Sequence, residues 1–204
     1  EIANAHLTKL TNVLIKASKG HFSKEKAVQI KKLAQNTVGN SSYALTLELK
    51  HTIKLINEYN SSIDKIDKEI TTIMDKIASP ITSIPGIGIT LASIIIAEIG
   101  NFDNFDSPDK ILAFAGMSPT IYQSGKYVAS SAKMEKRGSK ALRYALYNAA
   151  RLTSIYCPVF KEHLARKRSQ GKHFNVAISH VVKKLVRVIY HLQTKNELFK
   201  NIIN

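Results

Sequence analysis

The chain has 204 residues, 44% hydrophobic and 22% charged, a globular balance for one domain with an extension or for two small domains. No run approaches the ~18 uninterrupted apolar residues of a membrane span, and a single cysteine, Cys157, excludes an internal disulfide; with no apolar leader before the first helical pattern, the expectation is a reducing, cytoplasmic location without membrane contact. The net charge of +15 is lopsided: residues 1–110 hold 13 Lys and Arg against 12 Asp and Glu, residues 111–204 hold 17 against 3, so the second half calls for a polyanion.

In chain order, Leu7, Leu10, Val13, Leu14 and Ala17 fall at i, i+3, i+4 spacing and predict a helix that Gly20 stops. Ser23 is placed to cap a second helix over Lys24–Gln35, and Gly39–Ser42 reads as a turn. From Leu45 a heptad pattern takes over. Leu49, Ile56, Ile63, Ile70 and Ile77 occupy its a positions, and Leu45, Thr52, Tyr59, Ile66 and Ile73 its d positions. That spacing describes a coiled-coil helix, about 50 Å long at 1.5 Å per residue. A dimer of two copies is the favoured reading, beside an antiparallel pairing with the preceding helices or packing on the globular part. Ser79-Pro80 ends the helix, because the residue before proline is driven out of the helical region.

Ser83-Ile84-Pro85-Gly86-Ile87-Gly88-Ile89 follows, with two glycines one residue apart ahead of a helical pattern at Thr90–Ile99. Gly86 and Gly88 allow a tight turn that presents backbone N–H groups to a phosphate, as in a helix-hairpin-helix, although a purely structural turn has the same pattern. The acids Asp103, Asp106 and Asp109 come next. They suit helix capping better than a metal site, with Ser107-Pro108-Asp109 starting a helix over Lys110–Ala115 that Gly116 closes. No metal ligand is assigned in this chain.

Residues 118–143 combine small residues, hydroxyls and cations, including Tyr122-Gln123-Ser124-Gly125-Lys126 and Lys136-Arg137-Gly138-Ser139. A basic surface loop or a short β-hairpin is the plain alternative to a functional segment. Ser139 can cap a helix from Lys140 to about Ile155 that carries Arg143 and Arg151. Asn175–Leu192 predicts another, with Ile178, Val181, Val182, Leu185, Ile189 and Leu192 as its core stripe and Lys183, Lys184 and Arg187 on its outer side. His173, His180 and His191 have no ligand-like company and read as packing or surface residues.

Taken together, S-I-P-G-I-G-I-T-L-A-S-I-I-I-A-E-I-G, F-D-S-P-D-K-I-L-A-F-A-G-M-S-P, Y-Q-S-G-K and K-R-G-S-K-A-L-R-Y-A-L-Y-N-A-A resemble, in this order, the Piv-type and MooV-type DEDD transposase family of insertion sequences. The resemblance covers roughly residues 80–192. It implies an amino-terminal DEDD domain that binds a divalent metal such as magnesium, then a coiled coil, then a helical transposase domain; the chain is therefore expected to be a fragment that lacks the first of these. It implies a fold that is mainly α, with a long coiled-coil segment in residues 1–79 joined to a small helical domain in 80–204 that holds a helix-hairpin-helix motif and accommodates a short β-hairpin.

By the same resemblance a serine of the last domain attacks the scissile phosphate, and it maps onto Ser124, in a block that departs from the family at Gln123 and Lys126. Ser130 and Ser131 are the fallback positions. DNA phosphates fall to Gly86, Gly88, Lys126, Lys133, Lys136, Arg137, Lys140, Arg143, Arg151, Lys183, Lys184 and Arg187. Some members use a structured guide RNA, and the coiled coil implies a homo-oligomer. The expected function is the DNA-binding, nucleophile-bearing part of a transposase or site-specific recombinase, inactive as a fragment. Its rivals are a helix-hairpin-helix binding module that never cuts DNA and a coiled-coil adaptor that binds RNA or DNA.

Overall fold

Helix α1 spans Leu7–Ala17, after a 3-10 turn at Ile2–Asn4, and it ends as the glycine pattern predicts. Gly20 sits at φ +88° and its N–H reaches the Ile15 carbonyl at 2.9 Å, a conformation that favours glycine. The computed structural model describes residues 2–37, 42–119, 123–124, 127–128 and 134–200, with only the backbone of 123–124 and 127–128. Two units divide it, residues 1–59 and 60–204.

In the first unit α2, Lys24–Asn36, packs on α1 and buries Ala27 completely. Lys31 Nζ donates to the Ala5 carbonyl at 2.8 Å, closing the pair from the far side. Ser23 occupies the N-cap of α2, but its side chain makes no capping bond. The expected turn at Gly39–Ser42 lies outside the described residues except for Ser42. Helix α3, Tyr43–Ile77, is 35 residues long, close to the ~50 Å of the heptad run. All the a and d positions are exposed except half-buried Ile70. Its last turn already lies within residues 60–204 and contributes the buried Met74 to the core of that unit.

Beyond α3, Ser79 adopts φ −66°, ψ 133° ahead of Pro80, the extended geometry that proline imposes. A 3-10 turn at Pro80–Ser83 leads to α4, Ile89–Ile99, then a 3-10 turn at Phe102–Asn104 and α5, Pro108–Phe114. A two-stranded antiparallel pair follows, β1 at Gln123–Ser124 and β2 at Tyr127–Val128, with Gln123 opposite Val128 and Ser124 opposite Tyr127. Helices α6, Lys140–Tyr156, α7, Pro158–Ser169, and α8, Phe174–Lys195, complete the regular structure of the described residues. The fold is mainly α.

Helix α6 is the hub, packed on α4, α7 and α8. Leu142, Ala145, Leu146, Ala149 and Ala150 are fully buried, and the alanines let neighbouring helices approach closely. The whole predicted stripe of α8 is buried, from Ile178 to Leu192, at about 1.5–3 kcal/mol for each large side chain taken out of water. Helix α7 goes beyond the sequence expectation. Only Val159, Phe160 and Leu164 face inward along it, too few to mark a helix by spacing. Proline at its first position and Arg166, Lys167 and Arg168 in its last turn suit its ends, while Phe160 is fully buried.

Candidate nucleic-acid interface

The glycine turn of residues 83–89 has two different halves. Gly86 lies at φ +97°, and a Cβ there would sit 2.7 Å from the Leu152 carbonyl carbon and 2.8 Å from the Thr153 nitrogen. Backbone of the turn is thus laid directly on backbone of α6, with Ile84 and Ile87 buried on either side. Ser79 Oγ donates to Gln193 Oε1 at 3.1 Å, and the Phe199 N–H donates to Ser83 Oγ at 2.8 Å, tying the turn to the other end of the chain. Gly88, by contrast, is the exposed N-cap of α4, with open space where a Cβ would go. Of the two predicted phosphate-cradle glycines, Gly86 seats the turn and Gly88 fronts solvent.

A second pair of glycines forms the root of the segment that carries Ser124. Gly116, at φ +66°, and Gly138, at φ +119°, lie against each other: a Cβ on Gly138 would collide with the Phe114 carbonyl and come within 3.1 Å of the Gly116 nitrogen. Backbone bonds rung this neck, from Lys136 N–H to Gly116 O and from Glu135 N–H to Ser118 O, both at 3.0 Å, with Pro119 bridged to Met134 above. Arg143 clamps it. Its Nη1 donates to Ala115 O at 2.9 Å and to Lys136 O at 3.2 Å. Ser139 caps α6 as predicted, accepting from the Leu142 N–H at 3.0 Å while donating to the Glu98 carboxylate. The backbone of Ser124 is in β1; its side chain, with Lys126, Ser130, Ser131 and Lys133, lies outside the described residues.

Below the neck, a cleft of about 680 Å³ is lined by Lys136, Lys140, Arg143, Tyr144, Tyr147 and Asn175, among others. Lys140, Tyr144, Tyr147 and Arg151 recur at helical spacing and so form one stripe along α6. Tyr144 is 63% exposed, and the Tyr147 hydroxyl donates to Asn175 Oδ1 at 3.0 Å. Arg137 is also exposed. Cations flanking aromatic rings can hold phosphates and stack bases. Sequence reading selected the cations and overlooked the tyrosines, whose signal was their spacing from Lys140 and Arg151.

The predicted cations of α8 are differently placed. Lys183 Nζ and Arg187 Nη2 share the carboxylate of Asp109, at 3.6 and 3.9 Å. Lys184 is half-buried, donates to the Val159 carbonyl at 3.3 Å and lies 5.6 Å from the Phe160 ring centre. Desolvation, then the positive charge of Lys184, Arg166, Lys167 and His180, lowers the pKa of His163; desolvation and Lys167, Lys172 and Lys183 lower that of His180. Of the acids, Asp109 thus serves ion pairs, and the Asp103 N–H is capped by Asn101 Oδ1 at 2.9 Å. Among the described residues no group of three or more His, Cys, Asp or Glu could hold a metal ion, and no helix is long and apolar enough to cross a membrane.

Residues 78–165 match the Transposase IS116/IS110/IS902 family. That stretch contains the glycine turn, the neck, the Ser124 segment and the whole stripe of α6. Over 169 residues, 79% of this chain and 52% of the relative, the chain is 28% identical to a pilin gene-inverting protein of Moraxella bovis. Over 142 residues, 67% of this chain and 42% of the relative, it is 28% identical to a transposase for insertion sequence element IS1328 of Yersinia enterocolitica. An uncharacterized 44.8 kDa protein of insertion element IS116 from Streptomyces clavuligerus is 22% identical over 155 residues, 76% of this chain and 38% of that protein. The chain spans about half the length of the first of these relatives, of which one is named a gene-inverting protein and one a transposase.

Proposed function

We propose that the chain is the DNA-binding, nucleophile-bearing part of a DNA transposase or site-specific recombinase, and that by itself it binds DNA without cutting it. The observation that carries this reading is the α6 stripe of Lys140, Tyr144, Tyr147 and Arg151 beside the glycine-built root of the Ser124 segment, all inside the stretch matched by the transposase family. A serine hydroxyl is a weak nucleophile until its proton is removed, and the attacked phosphate needs cations around its developing charge. In the complete enzyme the Ser124 oxygen forms a bond to phosphorus, one P–O bond of the DNA strand breaks, and the released DNA hydroxyl takes up a proton. The phosphoserine link keeps the bond available for rejoining.

Lys136, Arg137 and Lys140 are the cations nearest in sequence to that segment among the described residues, joined by Lys126 and Lys133. Arg143 serves differently, as a positioning residue for the neck. The divalent metal implied by the resemblance falls to a DEDD domain outside residues 1–204 and is not assigned to any residue of this chain. A structured guide RNA would be a second polyanion for the same basic face. The exposed heptad ridge of α3 supports pairing with a second copy of the chain, since burying apolar a and d positions is what stabilises such a helix.

A complete protein carrying this sequence should lose strand exchange when Ser124→Ala is introduced, while its affinity for duplex DNA stays unchanged. Undiminished exchange by that variant would leave the binding-module rival in place. No affinity for duplex DNA at low salt would remove both.

A further inference from the structure

Between α7, α8 and the residues after α8 lies a cavity of about 590 Å³. Helix α7 supplies His163 and Lys167, with Arg166 adjacent; α8 supplies His180, Lys183, Lys184, Arg187 and His191; the tail supplies Glu197 and Lys200. The lining acid Glu197 faces His191 at 3.8 Å, a contact that is ionic only when the histidine is protonated, and Asp109 of α5, outside the lining, takes Lys183 and Arg187. Among the described residues, Lys167, Lys184 and Lys200 have no carboxylate at ion-pair distance. The rest of the lining is mainly apolar, with Val188, Leu192, Leu198 and Phe199, whose ring is stacked with Phe160 at 6.3 Å. Roughly 300–1,000 Å³ is the range of small-molecule sites.

We propose that this cavity is a binding site for an unpaired nucleotide of a polynucleotide strand, with its phosphate against Lys167, Lys184 and Lys200 and its base against Leu198 and Phe199. The inference rests on the nucleic-acid reading above but concerns a different surface, reaching beyond the stretch matched by the transposase family, which stops at residue 165. A duplex keeps its bases stacked inward and offers the recess only backbone, whereas an unpaired nucleotide offers charge and ring together. Burial, then the surrounding cations, lowers the pKa of His163 and His180. A phosphate brought between them reverses that balance, so binding takes up protons and tightens as pH falls towards the ordinary histidine range of about 6.5.

Binding of the whole 204-residue chain to a short single-stranded oligonucleotide, the matching blunt duplex, a nucleoside monophosphate and inorganic phosphate would be measured by calorimetry in buffers of different ionisation heat. Expected are proton uptake with the single strand, absent in H163Q/H180Q, and a salt slope shallower by ~1 for each phosphate-contacting lysine removed in K167Q/K200Q. Duplex affinity should be unchanged in both variants, which also serves as their folding control. Single-strand binding that is the same in wild type and both variants overturns the cavity while sparing the DNA-binding reading. Binding of the monophosphate but not of the strand overturns it too, and a wild-type chain that binds no polynucleotide overturns both.

Discussion

The two cationic surfaces of residues 60–204 use the same residue types at different depths. On the α6 stripe, Lys140 and Arg151 stand exposed beside tyrosine rings, with no carboxylate at ion-pair distance among the described residues. Against α8, the cations line a recess, two of them share Asp109, and two histidines have lowered pKa values. Depth changes the chemistry. Exposed charge is permanent and screened by salt, while recessed charge responds to pH and to whatever enters.

Both surfaces hang on α6, so the largest perturbation is one that shifts the helix itself. Gly86→Ala forces a side chain into the Leu152–Thr153 backbone at a positive φ and should cost about 3 kcal/mol, from overpacking and backbone strain together. A thermal melt would show a fall of roughly 10 °C at ~3 °C per kcal/mol for a domain of this size. Gly88→Ala, with open space around it, should cost well under half as much. Equal melts for the two would dissolve the distinction between them.

Next in size is Arg143→Gln, which removes two charge-assisted bonds at the neck for about 2 kcal/mol, discounted for partial exposure. It should slow strand exchange in a complete enzyme more than it weakens DNA binding, since the residue braces the Ser124 segment. Loss of binding with exchange per bound complex intact would make Arg143 a phosphate contact after all.

Acid should separate the surfaces further. His163 and His180 have lowered pKa values in the folded chain, so the unfolded chain takes up protons first and stability falls as pH drops below about 6.5, returning above it. H163Q/H180Q should flatten that dependence in denaturant titrations across pH 5–7.5, a range chosen around the ordinary histidine value of about 6.5. The smallest effect is expected from Asp109→Asn. Exposed ion pairs contribute about 0–1 kcal/mol, so stability should barely move while single-strand affinity rises a few-fold through the freed Lys183 and Arg187. A marked drop in melting temperature would mean that the pair holds α5 to α8.

The helices with broad apolar stripes were readable from spacing alone. Helix α8 buries every residue of its predicted stripe, and Ser139 caps α6 through the bond its position suggests. Helix α7 escaped because Val159, Phe160 and Leu164 make too narrow a stripe, and the neck escaped because it depends on Gly116 meeting Gly138 across 22 residues of chain. Charge identified the cations but not their burdens: that Arg143 would brace backbone, Lys184 lie near Phe160 and Asp109 join Lys183 to Arg187 are tertiary facts. Likewise, the glycine turn announced a backbone exposed to ligand, and only the proximity of Leu152 reveals that Gly86 is spent on packing.

The central claim, that the α6 stripe holds a DNA backbone, is tested most directly by the salt dependence of duplex binding for the wild-type chain and for K140Q/R151Q. The claim predicts a linear fall of log affinity with log salt for the wild type, and for the double variant a slope shallower by ~2 with roughly tenfold weaker binding at moderate salt. Identical slopes and affinities for the two proteins would contradict it.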